Sequence, residues 1–311
     1  MPSFQARFFN HLVRRFIRRK YGSDDAAVAE EARRIFGSPK FLQEIYTRNL
    51  RLQTVNEKRV CGEWLEAKDA MRENVILYIH GGGYVSCSPK THRPITASLA
   101  RLSRFRVFSL DYRLAPEHRF PAALVDALAA YRWLLKEQKI SPSKIALAGD
   151  SAGGGLVLAL LLRLRKNRLS LPACAACFSP WTDLAGTGES VRANADRDHF
   201  FYPENISEFA RAYLGEASAE DVRASPFYGD FSDMPPILFH VGSTEILLDD
   251  SSRIYKKIKK EKEIRKEKDK NELEIYDDVF HCWQMAVGLV PEARDSLSRA
   301  AKFIRLHILP K

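Results

Sequence analysis

Residues 144–155 read KIALAGDSAGGG. Lys144–Ala148 is an apolar run of strand length that stops at Gly149, and a long apolar helix follows from Ala152. Between them, Gly149-Asp150-Ser151-Ala152-Gly153 fits G-x-S-x-G. A strand, a tight turn and a helix in direct succession put the middle serine on a strained corner. Its hydroxyl projects above the sheet, and the positive end of the next helix points at it. The glycines flank a turn too tight for side chains. The competing reading is an ordinary glycine-rich βα turn, as in a nucleotide-binding fold. The strand–turn–helix context favours Ser151 as a nucleophile.

The same alternation extends outward. Val75–Ile79 ends in His80-Gly81-Gly82-Gly83, and Arg106–Leu110 ends at Asp111-Tyr112. Ala173–Phe178, Ile237–Val241 and Leu273–Tyr276 are further strand candidates, while Ala122–Leu135 has helical spacing opened by Pro121. Strands alternating with helices predict an α/β class with a mostly parallel central sheet and helices on both faces. Residues 50–67 suggest two short strands joined near Asn56-Glu57. Residues 4–17 place Phe4, Phe8, Phe9, Leu12, Val13, Phe16 and Ile17 on a helical stripe, and Ser23-Asp24-Asp25 resembles an N-cap. Residues 184–233 break the alternation, as a lid or cap would. The expected organisation is an N-terminal helical cap segment (1–48) and a catalytic domain (49–311) with a cap insertion at about 184–233.

Composition narrows the function. The chain has 311 residues, 45% of them hydrophobic, enough for one large packed α/β domain. The net charge is +10, but residues 1–20 hold six basic and no acidic side chains, and 256–270 hold nine basic and four acidic. The remainder is near neutral, so no nucleic-acid footprint is expected. The 256–270 run reads as a solvated helical extension. The N-terminal basic helix is read as a cap in preference to a membrane-surface helix. No stretch has the length of a membrane span, and arginines interrupt any signal-like apolar run, so a cytoplasmic location is expected. Five scattered cysteines do not form a disulfide framework, and Cys174-x-x-Cys177 lacks the partners of a zinc site. On a strand those two face opposite sides and read as buried thiols.

A serine hydroxyl needs a base, and its reaction needs oxyanion donors. His80-Gly81-Gly82-Gly83 supplies exposed backbone N–H groups after an earlier strand, with the N–H of Ala152 as the second part of the hole. Gly81 also suits a turn-shaping role. Of eight histidines, only His281 and His307 lie near or beyond the last strand. His307 sits in an amphipathic C-terminal helix, so His281 is the expected base. The acid belongs after Ile237–Val241, where Glu245 is favoured over Asp249 and Asp250. Those two suit the first turn of a helix on dipole grounds alone. Phe200, Phe201 and Tyr202 are candidates for an apolar acyl pocket.

Five spaced motifs then carry a resemblance: HGGGY (80–84), DYRLAPEHRFPAAL (111–124), GDSAGGG (149–155), SPWTDL (179–184) and FHCWQ (280–284). In that order they resemble the hormone-sensitive-lipase-like carboxylesterases of the α/β-hydrolase fold, from about residue 50 to the C-terminus. The resemblance implies a helical cap over the sheet. It places the nucleophile on Ser151, the base on His281, and the oxyanion donors on the Gly81–Gly83 stretch and Ala152. The family acid is often Asp in D-P-L; here Glu245 stands in T-E-I-L. Asp111, Arg113, Pro116 and Asp126 match positions that tie the loop near the HGGG element. The expectation is a serine carboxylesterase acting on short- to medium-chain esters through an acyl-enzyme. It calls for no cofactor, no metal and no nucleic acid, and it leaves open a homo-oligomer and membrane contact. The alternatives are an amidase or deacetylase on the same residues, or a non-catalytic receptor.

Overall fold

The computed structural model describes residues 1–22, 24–37, 40–57 and 59–309. In chain order come α1 (Phe4–Phe16), α2 (Asp25–Phe36), α3 (Lys40–Thr47), β1 (Arg51–Glu57), β2 (Val60–Glu66), β3 (Met71–Ile79), α4 (Arg93–Ser103), β4 (Phe105–Leu110) and α5 (Ala122–Lys136). There follow β5 (Ile145–Asp150), α6 (Ser151–Lys166), β6 (Cys174–Phe178), α7 (Ser190–Ala193), α8 (Glu204–Leu214), β7 (Ile237–Gly242), α9 (Leu248–Ile264), β8 (Glu272–Tyr276) and α10 (Pro291–Ile308).

The strands form one sheet in the order β1-β2-β4-β3-β5-β6-β7-β8. β1/β2 and β2/β4 are antiparallel, and every pair from β4 to β8 is parallel. Successive side chains on a strand point to opposite faces, and both faces are covered. Leu77, Ile79, Leu147, Cys177 and Phe239 join a core with α5 and α6, while Ile76, Tyr78, Ala146, Cys174 and Leu238 join one with α4 and α10. Cys174 and Cys177 therefore lie on opposite faces, buried and outside any disulfide, as their spacing predicts.

Several boundaries differ from the sequence reading. β3 begins at Met71, with an irregularity between Met71 and Val75 that hides it from a simple apolar run. Lys144 closes a 3₁₀ turn, and β5 runs on through Asp150. β1 and β2 still pair Asn56 with Cys61 and Glu57 with Val60, so the join does not fall at Asn56-Glu57; residue 58 lies outside the described residues. Ser23 also lies outside them; Asp24 caps α2, accepting the Ala27 N–H at 2.9 Å. The basic segment extends α9 only to Ile264 before the chain turns back to β8. Helix α4, which the apolar spacing did not single out, is held by burial of Ile95, Ala97, Leu99 and Ala100.

The segment 184–233 contributes α7, α8 and a 3₁₀ turn at Pro226–Tyr228. α8 packs on α2, and Asp25 receives Arg119 and Arg211, each at 2.8 Å. Arg33 on α2 donates to the Val85 carbonyl at 2.8 Å and pairs with Glu117 at 2.7 Å. The N-terminal helices are thus fastened over the loop that leaves β3. Among the described residues, no helix is long and apolar enough to cross a membrane.

Candidate active site

Strands β3, β5, β7 and β8 are parallel, so the loops at their carboxyl ends gather at one edge, where open α/β sheets bind ligands. Ser151 is the first of these residues. It holds φ +51°, in the left-handed region, directly between β5 and α6. This conformation is costly for a residue with a side chain and persists where its surroundings enforce it. Gly153 is part of that enforcement: a Cβ there would lie 2.1 Å from the Ile79 carbonyl oxygen and 2.4 Å from that of His80. The corner can therefore sit tight against the end of β3.

The glycine loop after β3 lies alongside. Gly82 has φ +109°, and a Cβ on it would meet the Ser86 carbonyl oxygen at 2.4 Å. Gly82 and Gly83 line the cavity together with Ser151. Ala152 lies in the first turn of α6, where a backbone N–H lacks an intrahelical acceptor. Gly81 differs from the grouping suggested by sequence. Its N–H donates to Asp150 Oδ1 at 3.0 Å, so it fixes the loop and is not available to a ligand.

Asp150 is a residue whose connections the motif did not reveal. Its Oδ1 also accepts the Tyr78 hydroxyl at 2.6 Å, and its Oδ2 lies 3.1 Å from His92 Nε2. Burial works against the carboxylate, but His92 and the Tyr78 hydroxyl outweigh it and hold Asp150 down to about 2. One buried anion thus links the residue before Ser151 to the glycine loop and to α4. Burial, with neighbouring His92, pushes the His80 imidazole down to about 3. His80 is neutral near pH 7, and its ring stacks on Tyr112 at 4.3 Å.

His281 follows β8, and Glu245 follows β7. His281 Nδ1 donates to Glu245 Oε2 at 2.6 Å, with both side chains buried. The other carboxylate oxygen accepts the Ser179 hydroxyl at 2.7 Å and the Gly242 N–H at 2.6 Å. This bond fixes the imidazole tautomer and leaves Nε2 as the acceptor; that atom is buried and has no partner. Burial opposes protonation of His281, but the Glu245 charge outweighs it, with Asp198 and Asp150 acting in the same sense. The imidazole sits above its ordinary value. Asp249 is engaged elsewhere, accepting the Ser190 N–H at 3.0 Å and the Ser252 hydroxyl at 3.2 Å. Asp250 accepts the Thr182 and Asp183 N–H groups, and burial raises it to about 7.

Asp198 is a second residue whose role no motif marks. Its Oδ1 accepts the N–H groups of Phe200 and Phe201 at 2.7 and 2.9 Å, and its Oδ2 accepts that of Ile246 at 2.7 Å. Asn194 adds a bond to the Glu245 carbonyl at 2.8 Å. The acid loop and the aromatic segment are therefore one fastened unit. The Phe200 and Phe201 rings stand 5.4 and 5.0 Å from the His281 ring.

Ser151 and His281 face a cavity of ≈ 200 Å³ whose walls include Phe36, Phe200, Phe201, Ile206, Phe209 and Met285. Tyr202 departs from the expected acyl pocket. It turns away, with the Arg18 guanidinium 4.1 Å from its ring. Phe36, from the N-terminal segment, and Met285, after His281, were not foreseen, because nothing local marks a residue brought in from another element. His307 lies on α10 beside Phe303. Arg113 and Asp126 form the expected loop tie at 2.8 Å, and Asp111 is at the surface, its N–H bonded to the Cys61 carbonyl. Among the described residues, no three His, Cys, Asp or Glu side chains converge as metal ligands would.

Comparison with known proteins agrees with this fold. The family model of the alpha/beta hydrolase fold matches residues 76–285. An acetyl-hydrolase of Streptomyces hygroscopicus is 39% identical over 230 residues, 74% of this chain and 75% of that one. An esterase of Acinetobacter venetianus is 36% identical over 245 residues, 78% of each chain. The crystal structure of an esterase from the bacterial hormone-sensitive lipase family superposes with a TM-score of 0.88 and 36% identity, over 99% of this chain and 100% of that one.

Proposed function

This chain belongs to the hormone-sensitive-lipase-like esterases of the α/β-hydrolase family and is an ester hydrolase, and from that premise we propose that it is a serine carboxylesterase for short- to medium-chain acyl groups. Ser151 is the nucleophile, His281 the general base and Glu245 the acid that orients it. The observation that carries this reading is the 2.6 Å bond from His281 Nδ1 to Glu245, with the unpartnered Nε2 of the same ring and Ser151 both facing one cavity.

In the first half-reaction His281 Nε2 takes the Ser151 proton as Oγ attacks the ester carbonyl. The Glu245 carboxylate stabilises the imidazolium that forms. The N–H groups of Gly82, Gly83 and Ala152 receive the negative charge on the carbonyl oxygen, a contribution typically worth about 10²–10³-fold per donor. Gly81 shapes the turn. His281 then gives its proton to the leaving alcohol, and the acyl-enzyme remains on Ser151. Water repeats the sequence, deprotonated by His281, and releases the acid. The unpartnered Nε2 of the resting site is consistent with this chemistry, because catalytic hydrogen bonds tighten around substrate.

The N-terminal segment 1–48 and the 184–233 insertion serve as the cap. Phe36, Phe200, Phe201 and Phe209 make it the apolar wall that receives the acyl chain. Rates on p-nitrophenyl esters from acetyl to palmitoyl test this. The reading predicts a maximum at a short or medium chain, and an upward shift of that optimum in Phe201→Ala. A maximum on the palmitoyl ester, or a faster rate on the matching aryl amide, would contradict it.

A further inference from the structure

Helix α1 carries two apolar stripes, and the protein covers one of them. Ala6, Phe9 and Val13 pack on Val279, Phe280 and Trp283. Phe4, Phe8, Leu12 and Phe16 follow one another at intervals of four on the other side, so they form a continuous ridge. Leu12 is half-buried, but Phe4, Phe8 and Phe16 are 75%, 52% and 59% exposed. Arg7, His11, Arg14 and Arg15 flank the ridge and are exposed, and residues 1–20 contain no carboxylate side chain.

The ridge is held facing outward. Ser3 caps α1 and is bonded to Glu292, with its hydroxyl 2.9 Å from Oε2. Asn10 donates to the Asp278 carbonyl at 2.7 Å. Just beyond the helix, Arg18 donates to the Phe201 carbonyl at 3.1 Å. These anchors attach α1 to the segment leading to His281 and to the aromatic wall of the cavity. The ridge therefore runs beside the active site and not on a remote face. Of the acidic groups at its start, Glu292 is bonded to Ser3 and Asp277 is paired with the N-terminal ammonium at 3.5 Å.

We propose that this face of α1 docks the protein on an anionic lipid surface. Phenylalanines projecting from a helix with arginines beside them suit the boundary between headgroups and acyl chains, where the rings enter the apolar layer and the guanidinium groups meet phosphate. A second copy of this chain is the poorer occupant. A two-fold contact through the ridge would set Arg7 and Arg15 against their own counterparts, with no carboxylate on α1 itself to relieve the repulsion. Docking in this orientation brings the cavity to a surface where water-insoluble esters collect. The docking face uses none of the residues assigned to hydrolysis, so it stands or fails independently of that assignment.

Sedimentation of the full chain with vesicles tests it. One set is phosphatidylcholine alone, and the other contains about one-third phosphatidylglycerol. The expected result is binding to the anionic vesicles at least about tenfold tighter, lost at 1 M salt as surface charge is screened. Phe4→Ser/Phe8→Ser/Phe16→Ser and, separately, Arg7→Gln/Arg15→Gln should each weaken it about tenfold or more, while hydrolysing p-nitrophenyl butyrate at the wild-type rate. The arginine pair keeps every apolar side chain, so it decides the matter if the triple variant fails to fold. Equal binding to both vesicles, no binding to either, or wild-type binding by the folded variants would overturn the proposal. So would light scattering that finds a dimer in the wild type and a monomer in the triple variant, which would make the ridge a contact between copies.

Discussion

The serine side of the cavity and its acid–base side are assembled differently. The serine side uses two short stretches, 79–84 and 149–153, on neighbouring parallel strands with Ile79 in register opposite Gly149. Several backbone contacts and the Asp150 carboxylate bind them together. The acid–base side joins residues 36 positions apart through one side-chain bond, Glu245 to His281. Redundancy protects the first region, whereas the second concentrates its geometry in a single carboxylate. Substitutions should therefore be felt unequally across the cavity.

The largest effect is expected at the single bond. Glu245→Gln keeps the shape but replaces the charge that holds the imidazole, and should lower kcat by about 10³–10⁴-fold. Asp249→Asn, in the first turn of α9, should remain within about threefold of the wild type, since among the described residues its carboxylate bonds to Ser190 and Ser252 and not to His281. Steady-state kinetics with melting curves separates the two. Reversal of the order would move the acid to Asp249.

A smaller loss tests the redundant side. Asp150→Asn removes the anion that holds the Gly81 N–H, but the glycine conformations and strand register remain. The expected loss in kcat is about ten- to a hundredfold, less than removal of an oxyanion donor outright, with KM little changed. A rise in KM with unchanged kcat would place Asp150 in substrate binding and not in the positioning of the loop.

The smallest effect is a shift in pH dependence. His281 must be neutral to accept the Ser151 proton, and its pKa is raised above the ordinary 6.5. Activity should therefore fall as pH drops through a value above 6.5. The carboxylates acting on the imidazole are Glu245, Asp198 and Asp150, and each favours its charged form. Asp198→Asn removes one of those charges, so the acid limb of kcat/KM should move to lower pH. It should also lower kcat, because the clamp on Phe200, Phe201 and Ile246 is weakened. An unmoved limb would assign Asp198 to structure alone.

What was legible in the sequence follows the same division. The elbow and the glycine loop were readable because their chemistry is local: a strand, a glycine turn and a helix fix Ser151 without reference to the rest. The parallel sheet was readable from short apolar runs, with ends misplaced by a few residues where β3 is irregular and where β5 continues into the motif. Glu245 was favoured by its position after β7, but Asp249 remained open, since strand ends do not say where a side chain points. Asp150, Asp198, Phe36 and Met285 gave no signal of their roles, which exist only through contacts between distant elements. In α1, the periodicity placed seven apolar residues on one stripe, whereas packing divides them between a buried and an exposed side. The helical spacing is common to both arrangements, and only the neighbours α1 meets decide which residues are covered.

Hydrolysis here depends most on Ser151 acting as the nucleophile with His281 as its base. Treatment with a fluorophosphonate, followed by peptide mass spectrometry, tests that directly. The expected result is one phosphonyl group, on Ser151, with esterase activity lost in step with labelling and labelling slowed by orders of magnitude in His281→Ala. An adduct on another residue, or ester hydrolysis that survives in a folded Ser151→Ala protein, would contradict it.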